Sequence, residues 1–425
     1  MPFSVFGFSP LIWPSLHRAL DDKQYLAPTA IQSAAIPAIL LGQDVLGSAQ
    51  TGSGKTAAFV LPILQQVALA APSSPRRTQA LVLVPTRELA VQVGEALDSL
   101  GKYLPQRVKV AVVFGGVSIN PQMMRMRGGV EVVVATPGRL LDLLAHNALS
   151  IGQVGTLVLD EADRLLDMGF GEELGRILAL LPRQRQTLFF SATFAPAIEA
   201  LANSMLHNPQ RVEVLADAAD ALDITQRAIE VDANRRTQLL RHLIESEKWT
   251  RVLVFAATKH ATEIIAVKLR GAGITAEPFH GELSQGKRTQ VLMDFKAKTL
   301  QVVVATDVAA RGIDIAQLPV VVNYDLPRSA VDYTHRIGRT ARAGESGLAV
   351  SFVSSGTEGH MRLIEKRHMV KVPREQIAGF EPLETAVAEQ GVKNVPSANG
   401  GIKGARPSKK DKLRAAALAT TTSGG

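Results

Sequence analysis

The segment AQTGSGKT, running from Ala49 to Thr56, has the residue types needed to hold a phosphate chain. Gly52 and Gly54 let backbone N–H groups approach an anion closely, and a helix starting near Lys55 would add its positive end. In such a loop Lys55 reaches the β- and γ-phosphates and the Thr56 hydroxyl is placed to ligate Mg²⁺. Ala49 stands where the general pattern has its first glycine. The strand-like DVLGSA before the loop and the helical AAFVLPILQQV after it nevertheless supply the strand–loop–helix context this chemistry requires. A second cluster, TLVLDEAD at 156–163, ends a buried run in carboxylates. There Asp160 would hold the metal, and Glu161 would orient and deprotonate an attacking water. An acidic strand end is often only a helix cap. Its place after a phosphate loop in the same domain points to catalysis instead.

These groups need rigid supports. Short apolar runs recur between helical stretches: ALVLVP at 80–85, VKVAVVF at 108–114, EVVVAT at 131–136, TLVLD at 156–160 and TLFFS at 187–191. They are apolar throughout, as strands buried on both faces of a parallel sheet are. After a polar stretch around Asp217 to Asp223 the pattern starts again, with RVLVFA at 251–256, ITAEPF at 274–279, QVVVAT at 301–306, PVVVNY at 319–324 and LAVSFV at 348–353. The pentapeptide VVVAT occurs once in each series, at 132–136 and 302–306. The expected fold class is therefore α/β, with two related parallel-sheet domains in tandem. The boundaries read as 1–215 for the first domain, 216–226 for a linker, 227–372 for the second domain and 373–425 for a basic low-complexity tail.

Composition agrees with a two-domain globular chain. Of 425 residues, 46% are hydrophobic and 20% are charged, enough for packed cores. There is no cysteine, which excludes disulfides and thiolate metal sites and fits a reducing compartment. The N-terminus lacks the features of a signal peptide, and no run reaches membrane-spanning length, so a cytoplasmic protein without membrane association is expected. The net charge is +8, favouring polyanionic partners. From Gly391 onward, seven basic residues face one acid, Asp411, a net +6.

AQTGSGKT, DEAD at 160–163 and SAT at 191–193 together resemble the DEAD-box RNA helicases, and the resemblance extends over nearly all of residues 24–345. Within the family the arrangement is most similar to the bacterial RhlE-like branch. The resemblance implies two RecA-like domains, ATP and Mg²⁺ as cofactors, RNA as partner with little base specificity, ribosomal or mRNA-decay complexes as settings, and a monomer. It assigns Ala49, Gln50, Thr51, Gly52, Ser53, Gly54, Lys55 and Thr56 to the phosphates. PTAIQ at 28–32 resembles the adenine-reading motif, with Gln32 pairing to the base edge through donor and acceptor, as an amide can, and with Tyr25 nearby. Phe3, Phe6 and Phe8 all remain candidates for the ring that stacks on the base. Pro85, Thr86, Arg87, Gly115, Gly116, Thr136, Pro137, Gly138 and Arg139 match the first-domain RNA motifs.

In the second half, ATDVAARGID at 305–314 and HRIGRTARAG at 335–344 match the family at length. By resemblance Thr306 and Gly312 touch the RNA backbone, Gln285 and Arg288 form another phosphate contact, and Asp314 meets the ribose of ATP. Arg339 and Arg342 would enter as arginine fingers against the γ-phosphate. Arg336, Arg339 and Arg342 repeat every third residue, so a helix would turn all three to one side and onto one anion. His335 is assigned a structural role. Ser191, Ala192 and Thr193 would couple the DEAD segment to domain closure. Two departures stand out: Gln24 and Ala341 sit where glycine is commoner in the family.

With the phosphate loop in one domain and the arginines in the other, ATP binding should close the cleft and align two RNA-binding faces on a single strand. A DNA-directed motor on the same plan and a non-catalytic RNA clamp are the alternatives. Retention of Lys55, Asp160, Glu161, Arg339 and Arg342 argues against the clamp, which needs no hydrolytic groups. The tail is expected to add non-specific ionic affinity. Deleting residues beyond Gly391 should leave basal ATPase unchanged and weaken RNA binding several-fold at moderate salt. A salt titration of RNA affinity on the full-length and shortened chains measures this.

Overall fold

The computed structural model describes residues 12–25, 27–48, 53–71, 73–213, 224–310, 318–341 and 346–383. They form two seven-stranded sheets, each parallel throughout. The first contains β1 (Val45–Ser48), β2 (Ala80–Leu83), β3 (Val110–Val113), β4 (Val132–Ala135), β5 (Thr156–Leu159), β6 (Gln186–Ser191) and β7 (Gln210–Glu213), in the order β3-β4-β2-β5-β6-β1-β7. The second contains β8 (Ile224–Glu230), β9 (Val252–Phe255), β10 (Ala276–Phe279), β11 (Val302–Ala305), β12 (Val320–Asn323), β13 (Gly347–Val353) and β14 (Arg374–Glu375), in the order β10-β11-β9-β12-β13-β8-β14. The two orders correspond position by position. β4 and β11, which carry the repeated VVVA, hold the second place in each sheet. This is the relation expected of two copies of one architecture.

Strands such as β2, β4, β5, β9, β11 and β12 are buried along their whole length, because helices cover both faces of each sheet. Alternate side chains feed separate cores. Val82, Val132 and Val158 pack with Phe59 and Phe190 on one face of the first sheet, while Leu81, Val133, Leu157 and Phe189 pack on the other. Helices start at residues that cap them: Thr86 accepts from Leu89 N at 3.2 Å, Thr258 from Ala261 N at 3.1 Å and Ser329 from Asp332 N at 3.1 Å. Among the described residues no helix is long and apolar enough to cross a membrane.

Two segments depart from the sequence reading. β8 begins at Ile224, inside the expected linker, and pairs with β13. Its ITQRAIE mixes polar and apolar residues, because it lies next to the last strand of the sheet, and so carries no continuous apolar signal. The stretch after Pro373, expected as tail, adds β14 to β8 and is held by ion pairs from Arg374 to Glu358 (2.9 Å) and Glu365 (2.8 Å) and from Arg227 to Glu375 (2.6 Å). A two-residue strand fixed by side-chain charge leaves little hydrophobic pattern to read. Leu383 N, donating to Asp232 Oδ2 at 2.8 Å, is the last such attachment among the described residues.

Asp44 anchors the strand that leads to the phosphate loop. Its buried carboxylate accepts from Thr187 N at the start of β6 and from His207 N before β7, both at 2.7 Å. Asp44→Ala would leave two N–H groups without their acceptor, at a cost of about 2 kcal/mol or more. The expected result is a lower urea midpoint with an unchanged m-value, measured by equilibrium unfolding.

Candidate functional site

In a parallel sheet all the strands end at one rim, so strand order decides which loops meet. In the first sheet β5, β6 and β1 are neighbours, which brings DEAD, SAT and the phosphate loop together. β3, β4 and β2 form the other half of that rim and bring together the loops at 85–87, 114–116 and 136–139. Motifs far apart in the chain therefore sort into two adjoining groups.

Of the phosphate loop, Ser53, Gly54, Lys55 and Thr56 are described, whereas Ala49, Gln50, Thr51 and Gly52 lie outside the described residues. Gly54 caps the helix Lys55–Leu69 in the left-handed region, at φ +92°, and a Cβ there would fall 2.5 Å from Gln32 Nε2. The loop thus needs glycine for both conformation and space. Gln32 is 3% exposed, accepts from Thr29 N at 3.0 Å and donates to Gly54 O at 3.1 Å. Its amide caps its own helix and braces the loop, and among the described residues each of its polar groups uses one bond and retains a further hydrogen-bonding valence. Tyr25, after the helix Pro14–Asp22, is 40% exposed. The candidate stacking rings Phe3, Phe6 and Phe8 lie outside the described residues.

Asp160 at the end of β5 is almost wholly buried. Burial pushes its carboxyl up to about 6, against the pull of Lys55. Lys55 is itself buried. Glu161 follows in a left-handed conformation, φ 51° and ψ 51°, an uncommon backbone state for a non-glycine residue. This sharp turn starts the helix Ala162–Asp167 immediately behind Asp160. Asp163 accepts from Thr193 Oγ1 at 3.0 Å, while Ser191 Oγ donates to Thr193 O at 2.7 Å, across Ala192. DEAD and SAT are therefore joined directly.

On the other half of the rim, Arg87 lies so close to Gly116 (φ +76°) that a Cβ there would sit 1.9 Å from its Nη2. Pro85 and Thr86 form the turn into the helix Arg87–Leu100. Gly115 follows Phe114, whose N–H and C=O are both bound by Gln122, at 3.2 and 3.1 Å. Gln122 was not singled out in the sequence, since one amide in a short helix gives no pattern. Thr136 stands immediately before the helix Pro137–Ala145, which holds Pro137, Gly138 and Arg139 in its first turn, and Arg139 Nη2 donates to Val117 O at 2.7 Å.

In the second lobe Thr306 follows β11, while Gly312, Asp314 and Arg342 lie outside the described residues. The expected helix carrying Arg336, Arg339 and Arg342 on one side is not formed, because the helix Ala330–Ile337 ends before Arg339. Arg336, 2% exposed, turns inward and grips Asp307 through two bonds of 2.6 Å, together with Asn323 Oδ1 at 3.0 Å and Asp325 O at 2.6 Å. It is a strut for this lobe. Arg339 is buried beyond the helix end, and its carbonyl accepts from Leu318 N at 3.1 Å. Arg288 packs over the Phe279 ring at 5.0 Å and forms an ion pair of 2.9 Å with Glu88 of the first lobe, without hydrogen-bonding alignment. Gln285 Oε1 is buried without a hydrogen-bond partner among the described residues. The two departures from glycine both adopt positive φ, Gln24 at 55° and Ala341 at 50°. That conformation is the physical reason glycine suits these places.

The model of the DEAD/DEAH box helicase family matches residues 29–201, and that of the helicase conserved C-terminal domain matches residues 235–344. The chain belongs to the DEAD-box RNA helicases. An ATP-dependent RNA helicase DeaD of Mycobacterium tuberculosis is 42% identical over 390 residues, 92% of this chain and 68% of the relative. Among solved structures, Dbp5 of S. cerevisiae bound to RNA and ADP BeF3 is 30% identical with a TM-score of 0.77, over 87% of this chain and 95% of that one. Mss116p bound to ssRNA and AMP-PNP is 28% identical with a TM-score of 0.78, over 91% and 80%.

One connection in this DEAD-box chain was not read from the sequence. Arg164, the residue after DEAD, is 4% exposed and crosses to the second lobe, where Nη1 donates to Asp332 Oδ1 at 2.9 Å and Nη2 meets His335 Nδ1. Ser329 Oγ steadies Asp332 by donating to Oδ2 at 2.8 Å. The signal lay in a lone arginine beside a motif and an acid on a distant helix, which only the fold brings together. Asp332→Ala should weaken RNA binding in the presence of a non-hydrolysable ATP analogue about tenfold, roughly 1.4 kcal/mol, and change nucleotide affinity without RNA little. Fluorescence anisotropy of a labelled single strand, with and without the analogue, measures both.

Proposed function

We propose that this chain is an ATP-dependent RNA helicase that remodels short RNA duplexes by closing its two lobes on a single strand. The observation that carries the reading is the meeting of the two halves: the helix following Asp160 and Glu161 joins, through Arg164, the helix that leads to Arg339. This contact supports a reading in which nucleotide-side groups of one lobe and arginine-side groups of the other work together.

A nucleotide with a divalent cation fits the residues present. Ser53 Oγ is buried without a hydrogen-bond partner among the described residues, Gly54 takes the left-handed backbone that a tight phosphate-cradling turn needs, and the Asp160 carboxylate is held in a setting that penalises its charge. Mg²⁺ bound by Asp160 and Thr56 would supply positive charge to the phosphates. In this reading Lys55 grips the β- and γ-phosphates, and Gln32 and Tyr25 receive the base. Glu161 orients a water and takes its proton, and Arg339 and Arg342 neutralise charge developing on the γ-phosphate as it passes to that water and ADP leaves. Asp314 holds the ribose.

The RNA backbone would lie across Arg87, Gly116, Thr136 and Arg139 of one lobe and Thr306, Gly312, Gln285 and Arg288 of the other. A strand bent to fit both faces cannot keep its pairing, so closure opens a duplex locally. The Asp163–Thr193 bond ties the state of the nucleotide site to that closure. A single chain holds both halves of the site, so a monomer suffices.

Strand displacement from a short RNA duplex, run with ATP, with a non-hydrolysable analogue and without nucleotide, tests the function. ATP-dependent displacement is expected, with ATPase stimulated by single-stranded RNA more than by DNA. Equal stimulation by both would favour a DNA-directed motor. Glu161→Gln should bind ATP and RNA together while phosphate release falls about 100-fold or more, and normal release would remove Glu161 from its role.

A further inference from the structure

The loops that precede β2, β3 and β4 meet at the opposite rim of the first sheet, away from Arg87, Gly116 and Arg139. Residues 73–79, 105–109 and 125–131 carry six cations, Arg76, Arg77, Arg107, Lys109, Arg125 and Arg127, against one acid, Glu131. They form one built surface. Arg76 N donates to Gly128 O at 3.1 Å, and Lys109 Nζ donates to Arg127 O at 2.8 Å. Gly129, at φ +79°, lets the loops abut so closely that a Cβ would fall 1.9 Å from Arg76 O. The one acid is consumed inside the surface: Glu131 is buried, pairs with Arg76 Nε at 2.7 Å and accepts from Lys109 N at 2.9 Å. Arg77, Arg107, Arg125 and Arg127 remain exposed, and no hydrogen bond or ion pair engages their guanidinium groups among the described residues.

We propose that this rim is a second RNA-binding surface, which takes the phosphate backbone of RNA that has left the cleft. Several guanidinium groups gathered without acids repel one another, and a polyanion relieves that repulsion. Planar forks also match phosphate oxygens in pairs. The route is short. β3 is the edge strand of the sheet and joins the two rims, with Lys109 before it and Gly115–Gly116 just after it. Its four residues span about 13 Å. Arg125 closes the short helix Asn120–Arg125, which runs back between the rims on that side. A strand emerging at Gly116 therefore meets further cations along the β3 edge. This second surface would lengthen the footprint of the protein on RNA without touching the nucleotide.

The inference rests on the RNA-directed reading above, and the experiment separates the two. Affinities for single-stranded RNA of about 10 and about 40 nucleotides are compared for the wild-type chain and for the triple variant Arg77→Glu, Arg107→Glu, Arg127→Glu. The variant is expected to bind the long RNA about tenfold or more weakly at moderate salt, with the log–log salt slope reduced by about 2. Short-RNA affinity and short-RNA-stimulated ATPase should be unchanged, and the matching Arg→Lys triple should retain most of the long-RNA affinity. Unchanged long-RNA affinity overturns the proposal, as does an equal loss at both lengths. Loss of binding to a polyglutamate peptide with RNA binding intact also overturns it and assigns the rim to an acidic protein. Failure of RNA to stimulate the wild-type ATPase would instead refute the earlier reading.

Discussion

Parallel pairing is the constraint on which the rest depends. Because every strand in each sheet runs the same way, the loops that follow the strands are forced to one rim, and the order of strands alone determines their neighbours. β5, β6 and β1 place two carboxylates, a hydroxyl-bearing turn and a phosphate loop side by side, though they are separated by about a hundred residues of chain. The same rule, applied a second time in the other lobe, produces a partner rim from a related sheet. The strands themselves need only be apolar and short. Chemistry enters through the residues that come after them.

Local anchors then refine what topology brings together. Asp44 fixes β1 to two neighbouring segments, Gln122 clamps Phe114 by both its backbone groups, and Gln32 ties a helix start to Gly54. Each is a single polar side chain spending its hydrogen bonds on backbone that would otherwise lack partners. Arg164 performs the corresponding task between lobes.

Much of this was legible beforehand, for physical reasons. Buried parallel strands read as uninterrupted apolar runs, so β2, β4, β5, β9, β11 and β12 were found close to their observed limits, and phosphate-binding residues had to stand in a fixed strand–loop–helix order. What escaped has the opposite character. β7, β8 and β14 lie at or next to a sheet edge and carry polar residues, so their sequences resemble loops. A three-residue spacing placed Arg336, Arg339 and Arg342 on one helix face, but spacing implies a shared face only while the helix lasts, and Gly338 ends it. The significance of Gln24 and Ala341 lay in backbone angle, which a residue name does not state. Arg164 and Asp332 are separated by so much chain that nothing local relates them.

The inward turn of Arg336 has a mechanical meaning. Its guanidinium joins the segment after β11, the end of β12 and the helix Ala330–Ile337 through charged and neutral bonds in a nearly dry setting. Thr306, just after β11, and Arg339, just beyond that helix, are therefore mounted on one stiff frame. A buried guanidinium bonded to several segments at once removes their freedom to shift separately, so they behave as one part rather than three.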